Sequence, residues 1–277
     1  MFMRPAALRD GRRRRLPRPA ALTFLTLIVW GCGGIAPSKV LPPAFPGKPY
    51  LTLLERVDGF AVWIVSGEYV RENLDEEFTN FGEHYRFPFI PRGEFWLDRE
   101  NVPDEKGFFV DHLLVEYQLM ALGMDYPHAL DKGDAVEQAE RAETRLDREG
   151  QELRRTHQDE RLLRMVHKEL LAEWSTDVKV WVVDGELVRD LYDIDFTEGG
   201  HDKVYRFIPD REVWIDDDVM PGERPFILLH EMHERRLMSR GWSYKKAHAD
   251  ASRIESYCRH HPEALEEMLR REISQNR

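Results

Sequence analysis

The sequence predicts an α+β fold built from two tandem copies of one small unit, joined by a long charged helix. When the chain is shifted by 118 residues, it aligns with itself without a gap. In each copy, short apolar segments broken by Gly, Asp and Pro precede two segments with helical periodicity. Strands followed by helices are typical of the α+β class, so each unit is expected to contain antiparallel strands followed by a two-helix hairpin.

Residues 1–32 have the order of a secretory signal segment. Seven Arg and one Asp within residues 1–31 give a net charge of +6, and an apolar run from Ala20 to Trp30 follows the basic residues. The run is too short to span a bilayer as a helix, but the order fits a signal peptide. Residues 29–32 resemble a bacterial lipobox, which implies lipidation of Cys32 and a lipid-anchored protein of the cell envelope. A misassigned start on a cytoplasmic protein is the alternative.

Residues 33–58 are predicted to form a proline-rich tether between the membrane and the folded body. Five prolines lie between Pro37 and Pro49. Proline lacks a backbone donor and favours extended backbone, so such a segment keeps little regular structure.

The folded body is acidic. The whole chain carries a net charge of −11, so the +6 of residues 1–31 leaves −17 for the remainder. Phosphate binding needs clustered Lys and Arg, so this composition excludes nucleic acid as a main partner. A membrane, through the lipid anchor, and a protein or peptide are the partners expected instead. Cys32 and Cys258 are the only cysteines, which excludes a disulfide framework.

The tandem repeat sets the remaining boundaries. Repeat 1 covers residues 59–138, a charged helical connector covers 139–176, repeat 2 covers 177–260, and a C-terminal helix covers 261–277. Matched positions in the two repeats include Val62/Val180, Trp63/Trp181, Trp96/Trp214, His112/His230, Glu116/Glu234 and Tyr126/Tyr244. Self-similarity over this length indicates a duplicated structural unit.

The helix predicted from Phe226 to Met238 in repeat 2 carries the candidate chemistry. His230 and Glu234 are four residues apart, so they project from one face and can hold one ion together. Glu231 follows the histidine, where zinc hydrolases of the His-Glu-x-x-His type keep a general base. Three N or O ligands and an open position suit catalytic zinc. The predicted ligands are His230, Glu234 and His248, with Glu231 polarising the water.

This helix resembles that of the zincin metallopeptidases, with Glu234 in place of the second histidine ligand. The resemblance covers about a dozen residues and implies zinc as cofactor and hydrolysis of a peptide or amide bond. The rest of each copy resembles a small domain found in uncharacterised bacterial and phage proteins, and that resemblance implies no activity.

The differences between the copies predict that only repeat 2 is active. Both copies keep the His and Glu four residues apart, but Leu113 and Leu130 occupy the positions of Glu231 and His248. Leucine neither takes a proton nor binds a metal, so repeat 1 is expected to be a structural partner.

Other polar residues of repeat 2 are additional candidates for the site. They are His201, His233, Asp193, Asp195 and Asp216. Each also has an ordinary structural role, because Asp is common in turns and helix caps and buried His often supports a neighbour.

The sequence therefore supports two functions of different classes. One is a zinc-dependent hydrolase with its site in repeat 2. The other is a non-catalytic binding or assembly module, in which each His and Glu pair is a buried hydrogen-bonded brace. The distance from His248 or His201 to both His230 and Glu234 distinguishes the two.

Overall fold

The computed structural model describes residues 48–100, 105–142, 150, 152–153 and 159–276. Within these residues the architecture is mixed α+β, with two four-stranded sheets and eight α-helices. The predicted α+β class is therefore confirmed. Both halves of the described chain belong to one compact unit.

The first half ends at residue 142 and the second half begins at residue 159. The first half contains, in chain order, β1 (Tyr50–Val57), β2 (Phe60–Val65), α1 (Gly67–Asn73), β3 (Phe81–Gly82), β4 (Glu94–Asp98), α2 (Lys106–Ala121) and α3 (Tyr126–Arg141). The second half contains α4 (Asp159–Val166), β5 (His167–Leu170), β6 (Lys179–Val183), α5 (Gly185–Leu191), β7 (Gly199–His201), β8 (Glu212–Asp216), α6 (Arg224–Ser239), α7 (Tyr244–His260), a 3₁₀ turn (Pro262–Ala264) and α8 (Leu265–Gln275).

The two sheets have the same strand arrangement, β1-β2-β4-β3 and β5-β6-β8-β7. In each sheet the central pair is parallel, with Trp63 opposite Trp96 and Trp181 opposite Trp214. The prediction of antiparallel strands was wrong for these central pairs. Parallel neighbours need a crossover connection, and here α1 and α5 provide it. The sequence pattern predicts no helix at either position, so these two helices are additions to the predicted unit.

Two of the predicted ranges contain strands that were not expected there. β1 lies inside the range 33–58 assigned to the tether, and β5 lies inside the range 139–176 assigned to a helical connector. Both are edge strands with exposed polar residues, so their composition resembles that of a linker or a solvated helix. The signal segment, Cys32 and the start of the tether lie outside the described residues. Among the described helices, none combines the length and the apolar character needed to cross a bilayer.

Each sheet packs on both faces because successive strand residues point to opposite sides. In the first sheet, Val62 and Phe95 pack against Leu113 of α2, and Trp63 and Trp96 pack on the other side. In the second sheet, one face packs against α6 and α8 and the other against α5. The sheets therefore fix the positions of α2 and α6, which carry the paired His and Glu residues.

Buried ion pairs join the two halves. Glu105, before α2, accepts hydrogen bonds from Arg189 of α5 (2.7 Å to Nε) and from Arg141 of α3 (2.6 Å to Nη2). In the opposite direction, Arg71 of α1 contacts Glu198 of the second half at 2.7 Å. These side chains are buried or nearly so at the interface between the halves.

Candidate functional site

Helices α6 and α7 pack against each other and carry the candidate ligands. Gly241 ends the turn after α6 with φ of +89°, a conformation that residues with a Cβ rarely adopt. The short connection returns α7 along α6, so His248 in the second turn of α7 lies beside the middle of α6, where His230 and Glu234 project.

Three ligand atoms converge between these helices. His230 Nε2 lies 3.1 Å from His248 Nδ1, and His248 Nδ1 lies 2.9 Å from Glu234 Oε2. The third separation, from His230 Nε2 to Glu234 Oε2, is 3.7 Å. Among the described residues, these three form the one group of His, Cys, Asp or Glu side chains in which three ligand atoms all lie within 4.8 Å of one another.

The spacing of the cluster fits zinc. Zn–N and Zn–O bonds of 2.0–2.2 Å in a tetrahedral centre place ligand atoms about 3.3–3.5 Å apart. The three separations, from 2.9 to 3.7 Å, bracket that value. The donor set of two imidazoles and one carboxylate is also one that catalytic zinc uses.

The remaining polar atoms of His230 and Glu234 are held by other side chains. His230 Nδ1 lies 2.9 Å from Oε2 of Glu255 on α7. Glu234 Oε1 lies 3.0 Å from Nε2 of His201 on β7, and the His201 Nδ1 accepts a hydrogen bond from the Lys203 backbone N–H. Since Nδ1 of His201 accepts, its Nε2 carries the proton and donates to Glu234. His201, a possible additional ligand by sequence, is therefore hydrogen-bonded to Glu234, one of the three predicted ligands.

The protonation states follow from these contacts. Burial alone lowers the pKa of His230, but the adjacent carboxylates of Glu234 and Glu255 outweigh burial and raise that pKa well above the usual value. Burial alone raises the pKa of Glu234, but its contacts with the imidazoles of His201, His230 and His248 hold that pKa well below the usual range. Bonds with Glu234 and Glu77 raise the pKa of His248 to about 9. A metal ion entering this cluster must therefore displace protons.

A cavity of about 120 Å³ lies beside the cluster. Its lining includes Glu231, Thr197, Tyr205 and Tyr244 of the second half. Among the described residues, none donates a hydrogen bond to the Glu231 carboxylate. Burial raises the pKa of Glu231, although His201 and His230 oppose the shift. A carboxyl group with these properties is suited to accept and return protons.

The other predicted candidates lie outside the cluster. His233 points towards α8, where Nδ1 lies 3.1 Å from Glu272, and its Nε2 lies 3.0 Å from Asp250. Asp193 accepts a hydrogen bond from the backbone N–H of Asp195 in a turn. Asp216 is buried against Arg189 in the interface between the halves. None of the four (His233, Asp193, Asp195 and Asp216) lines the cavity.

In the first half, the residues that align with His230 and Glu234 are His112 and Glu116, and they belong to a buried hydrogen-bonded brace. His112 Nδ1 lies 3.1 Å from Glu137, and His112 Nε2 lies 3.4 Å from Glu116. Both ring nitrogens of the buried His112 therefore face carboxylates. Leu130 stands at the position that aligns with His248, so no second imidazole lies beside His112. Both halves thus hold a His and a Glu four residues apart, and only the second half places another imidazole beside them.

His112 is expected to make stability depend on pH. Burial lowers its pKa, but bonds with Glu116 and Glu137 raise it to about 9, above the 6.5 of the unfolded chain. The resulting stabilisation, up to about 3 kcal/mol, is fully present below pH 6.5 and is lost as the pH rises through 9. Urea unfolding between pH 6 and 10 should show a smaller decline in the His112→Gln variant than in the native chain. Equal declines would contradict this assignment.

Sequence reasoning missed Glu255, the partner of His230. A signal was present, because Glu137 and Glu255 occupy matched positions 118 residues apart and both contact the His of their own half. Polar residues that align between α3 and α7, the second helices of the two hairpins, therefore indicate contacts with His112 and His230 as well as the residues of α2 and α6 do.

Comparison with known proteins adds no functional information. No protein-family model matches the chain, and neither a curated protein nor a solved structure matches it. Function therefore has to be inferred from the side chains of the chain itself.

Proposed function

We propose that this protein is a zinc-dependent hydrolase of the peptidase type, with its site in the second half. One observation carries the proposal. His230, Glu234 and His248 each direct one ligand atom to a common point, while Glu255 and His201 hold the other polar atoms of the first two. Metal-binding His residues usually donate their second ring N–H to a carboxylate, as His230 does here to Glu255.

The first half is, in this proposal, an inactive copy that arose by tandem duplication. The shared strand arrangement and the retained His112 and Glu116 support that origin. We also propose that Cys32 anchors the protein to the cell envelope through a lipid, on the basic-then-apolar order of residues 1–32.

The chain's own residues supply the acid–base chemistry. Zinc, when bound, would polarise a substrate carbonyl and lower the pKa of a water molecule. Glu231 accepts the proton of the attacking water and returns it to the leaving amine, and both transfers need a carboxyl with a raised pKa. Burial raises the pKa of Tyr244 to about 12, so its hydroxyl stays protonated and can donate to a carbonyl oxygen.

The Glu231→Gln substitution tests this division of roles. The amide keeps the shape of the side chain but cannot accept the proton, so hydrolysis of an amide substrate should fall by roughly 100- to 10,000-fold. Zinc should bind as in the native chain, because Glu231 is not among the ligands. Peptide-library turnover and zinc titration on the same samples measure both effects. Full activity in the variant would remove Glu231 from the mechanism.

The alternative is a non-catalytic binding or assembly module in which the cluster is an ionic brace. His112 with Glu116 and Glu137 shows that such a brace forms in this fold. The presence of His248 within 3.1 Å of His230 and 2.9 Å of Glu234 favours the metal site over the brace. If the protein binds no zinc at this cluster, the non-catalytic binding or assembly module is the better explanation.

A further inference from the structure

A carboxylate from the first half reaches the cluster of the second half. Glu77 lies in the loop between α1 and β3, and its Oε2 is 3.3 Å from His248 Nε2. Its Oε1 accepts a hydrogen bond of 3.0 Å from the Ser252 hydroxyl. His248 and Ser252 are four residues apart on α7, so one carboxylate joins two successive turns of that helix.

The backbone presents Glu77 in a defined position. The Asp75 carboxylate accepts a hydrogen bond of 3.0 Å from the Glu77 backbone N–H. The second half has the same turn, in which Asp193 accepts from Asp195 N–H at 3.1 Å. The loop of the second half approaches the first half in the same way. Burial, and then repulsion by the nearby Asp195 carboxylate, raises the pKa of Asp134 on α3 to about 7. Each half therefore directs this loop towards the helical hairpin of the other.

The orientation of the His248 ring depends more on a hydrogen-bond partner such as Glu77 than the orientations of His230 and Glu234 do. Its side chain is 32% exposed, whereas those of His230 and Glu234 are 11% and 3% exposed. Packing therefore restricts the ring of His248 least. A neutral imidazole carries one N–H, and the hydrogen bond at one nitrogen decides which nitrogen is free to bind a metal.

We propose that Glu77 is a positioning residue of the metal site, accepting the Nε2 proton of His248 so that Nδ1 faces the ion. This inference rests on the proposed metal site and adds that the first half completes it. The first half is then more than a structural partner. Glu77 is 41% exposed, so its effect is smaller than that of a buried partner such as Glu255.

The test is zinc and cobalt(II) binding by the full chain with Glu77→Ala, Glu77→Gln and Asp195→Ala. Loss of an outer partner typically weakens metal binding 10- to 100-fold, and the exposure of Glu77 places Glu77→Ala at roughly 10-fold. Glu77→Gln keeps an acceptor oxygen and should recover part of the loss. Asp195→Ala, the matched change in the other half, should bind both metals as the native chain does.

Two outcomes would overturn the inference. One is native affinity and an unchanged cobalt spectrum in Glu77→Ala. The other is equal loss in Glu77→Ala and Asp195→Ala, which would indicate a general effect on the interface.

A separate readout keeps this inference distinct from the proposed function. In the metal-free chain, at a pH where the His248 ring carries both protons, Nδ1–H faces Glu234 Oε2 and Nε2–H faces Glu77 Oε2. The ¹H and ¹⁵N chemical shifts of that Nε2–H therefore report the contact with Glu77. They should change in Glu77→Ala and stay at the native values in Asp195→Ala. If the native chain binds no zinc, the proposed function fails, and these shifts still decide whether Glu77 accepts the Nε2 proton. Identical Nε2–H shifts in the native chain and Glu77→Ala would contradict that role.

Discussion

His230→Ala is expected to abolish stoichiometric zinc binding, while His112→Ala at the matched position of the first half leaves it intact. In the proposed site, His230 supplies one of three ligand atoms, and loss of a ligand should weaken binding by more than about 100-fold, beyond the cost of losing an outer partner. His112 has no nitrogen ligand beside it, because Leu130 replaces His248. Calorimetric titration of both variants and the native chain with zinc measures the difference.

The two variants control for each other. Each removes a buried imidazole from between two carboxylates, Glu234 and Glu255 in one case and Glu116 and Glu137 in the other. Both should therefore lose stability to a similar degree, as unfolding in urea would show. A similar loss of zinc affinity in both would mean that folding, not ligation, explains the effect of His230→Ala.

Glu105→Ala is expected to lower the free energy of unfolding by about 3–5 kcal/mol. Glu105 is buried and accepts hydrogen bonds from Arg189 and Arg141. Burial alone raises its pKa, but Arg189 and Arg141 outweigh burial and lower it, so the carboxylate is charged at neutral pH. Its removal leaves buried guanidinium groups with fewer partners at the junction of the halves.

The control for Glu105→Ala is Glu266→Ala. Glu266 pairs with Arg270 on α8, and these side chains are 79% and 76% exposed. Such a pair contributes less than about 1 kcal/mol. Urea unfolding at pH 7 should therefore separate the two variants clearly. A loss below 1 kcal/mol for Glu105→Ala would show that the ion pairs between the halves do not hold them together.

The cluster of His230, Glu234 and His248 could be predicted because it depends on local spacing. His230 and Glu234 lie four residues apart on one helix, and His248 follows on the next helix after a short turn. The alignment of the sequence with itself at an offset of 118 residues served as an internal comparison, since Leu113 and Leu130 align with Glu231 and His248. Helix periodicity and this alignment together were therefore sufficient to select the three side chains that the structure brings together.

Other features depend on contacts that are distant in sequence. Glu77 precedes His248 by 171 residues, and only the packing of the two halves brings them together. The direction of His233 is set by α8, whose Glu272 binds it, and helical spacing alone does not place that helix. The parallel pairing of β2 with β4 likewise depends on the short crossover helix α1, where Ser66 caps the first turn by accepting a hydrogen bond from Tyr69 N–H.

The metal content of the purified full chain tests the central claim most directly. Elemental analysis after purification without chelators, and again after added zinc and dialysis, gives the number of ions per chain. The proposed site predicts close to one zinc per chain, with little in the His230→Ala protein. An absence of bound zinc in the folded native chain, even after zinc is supplied, would contradict the metal site and favour the binding module.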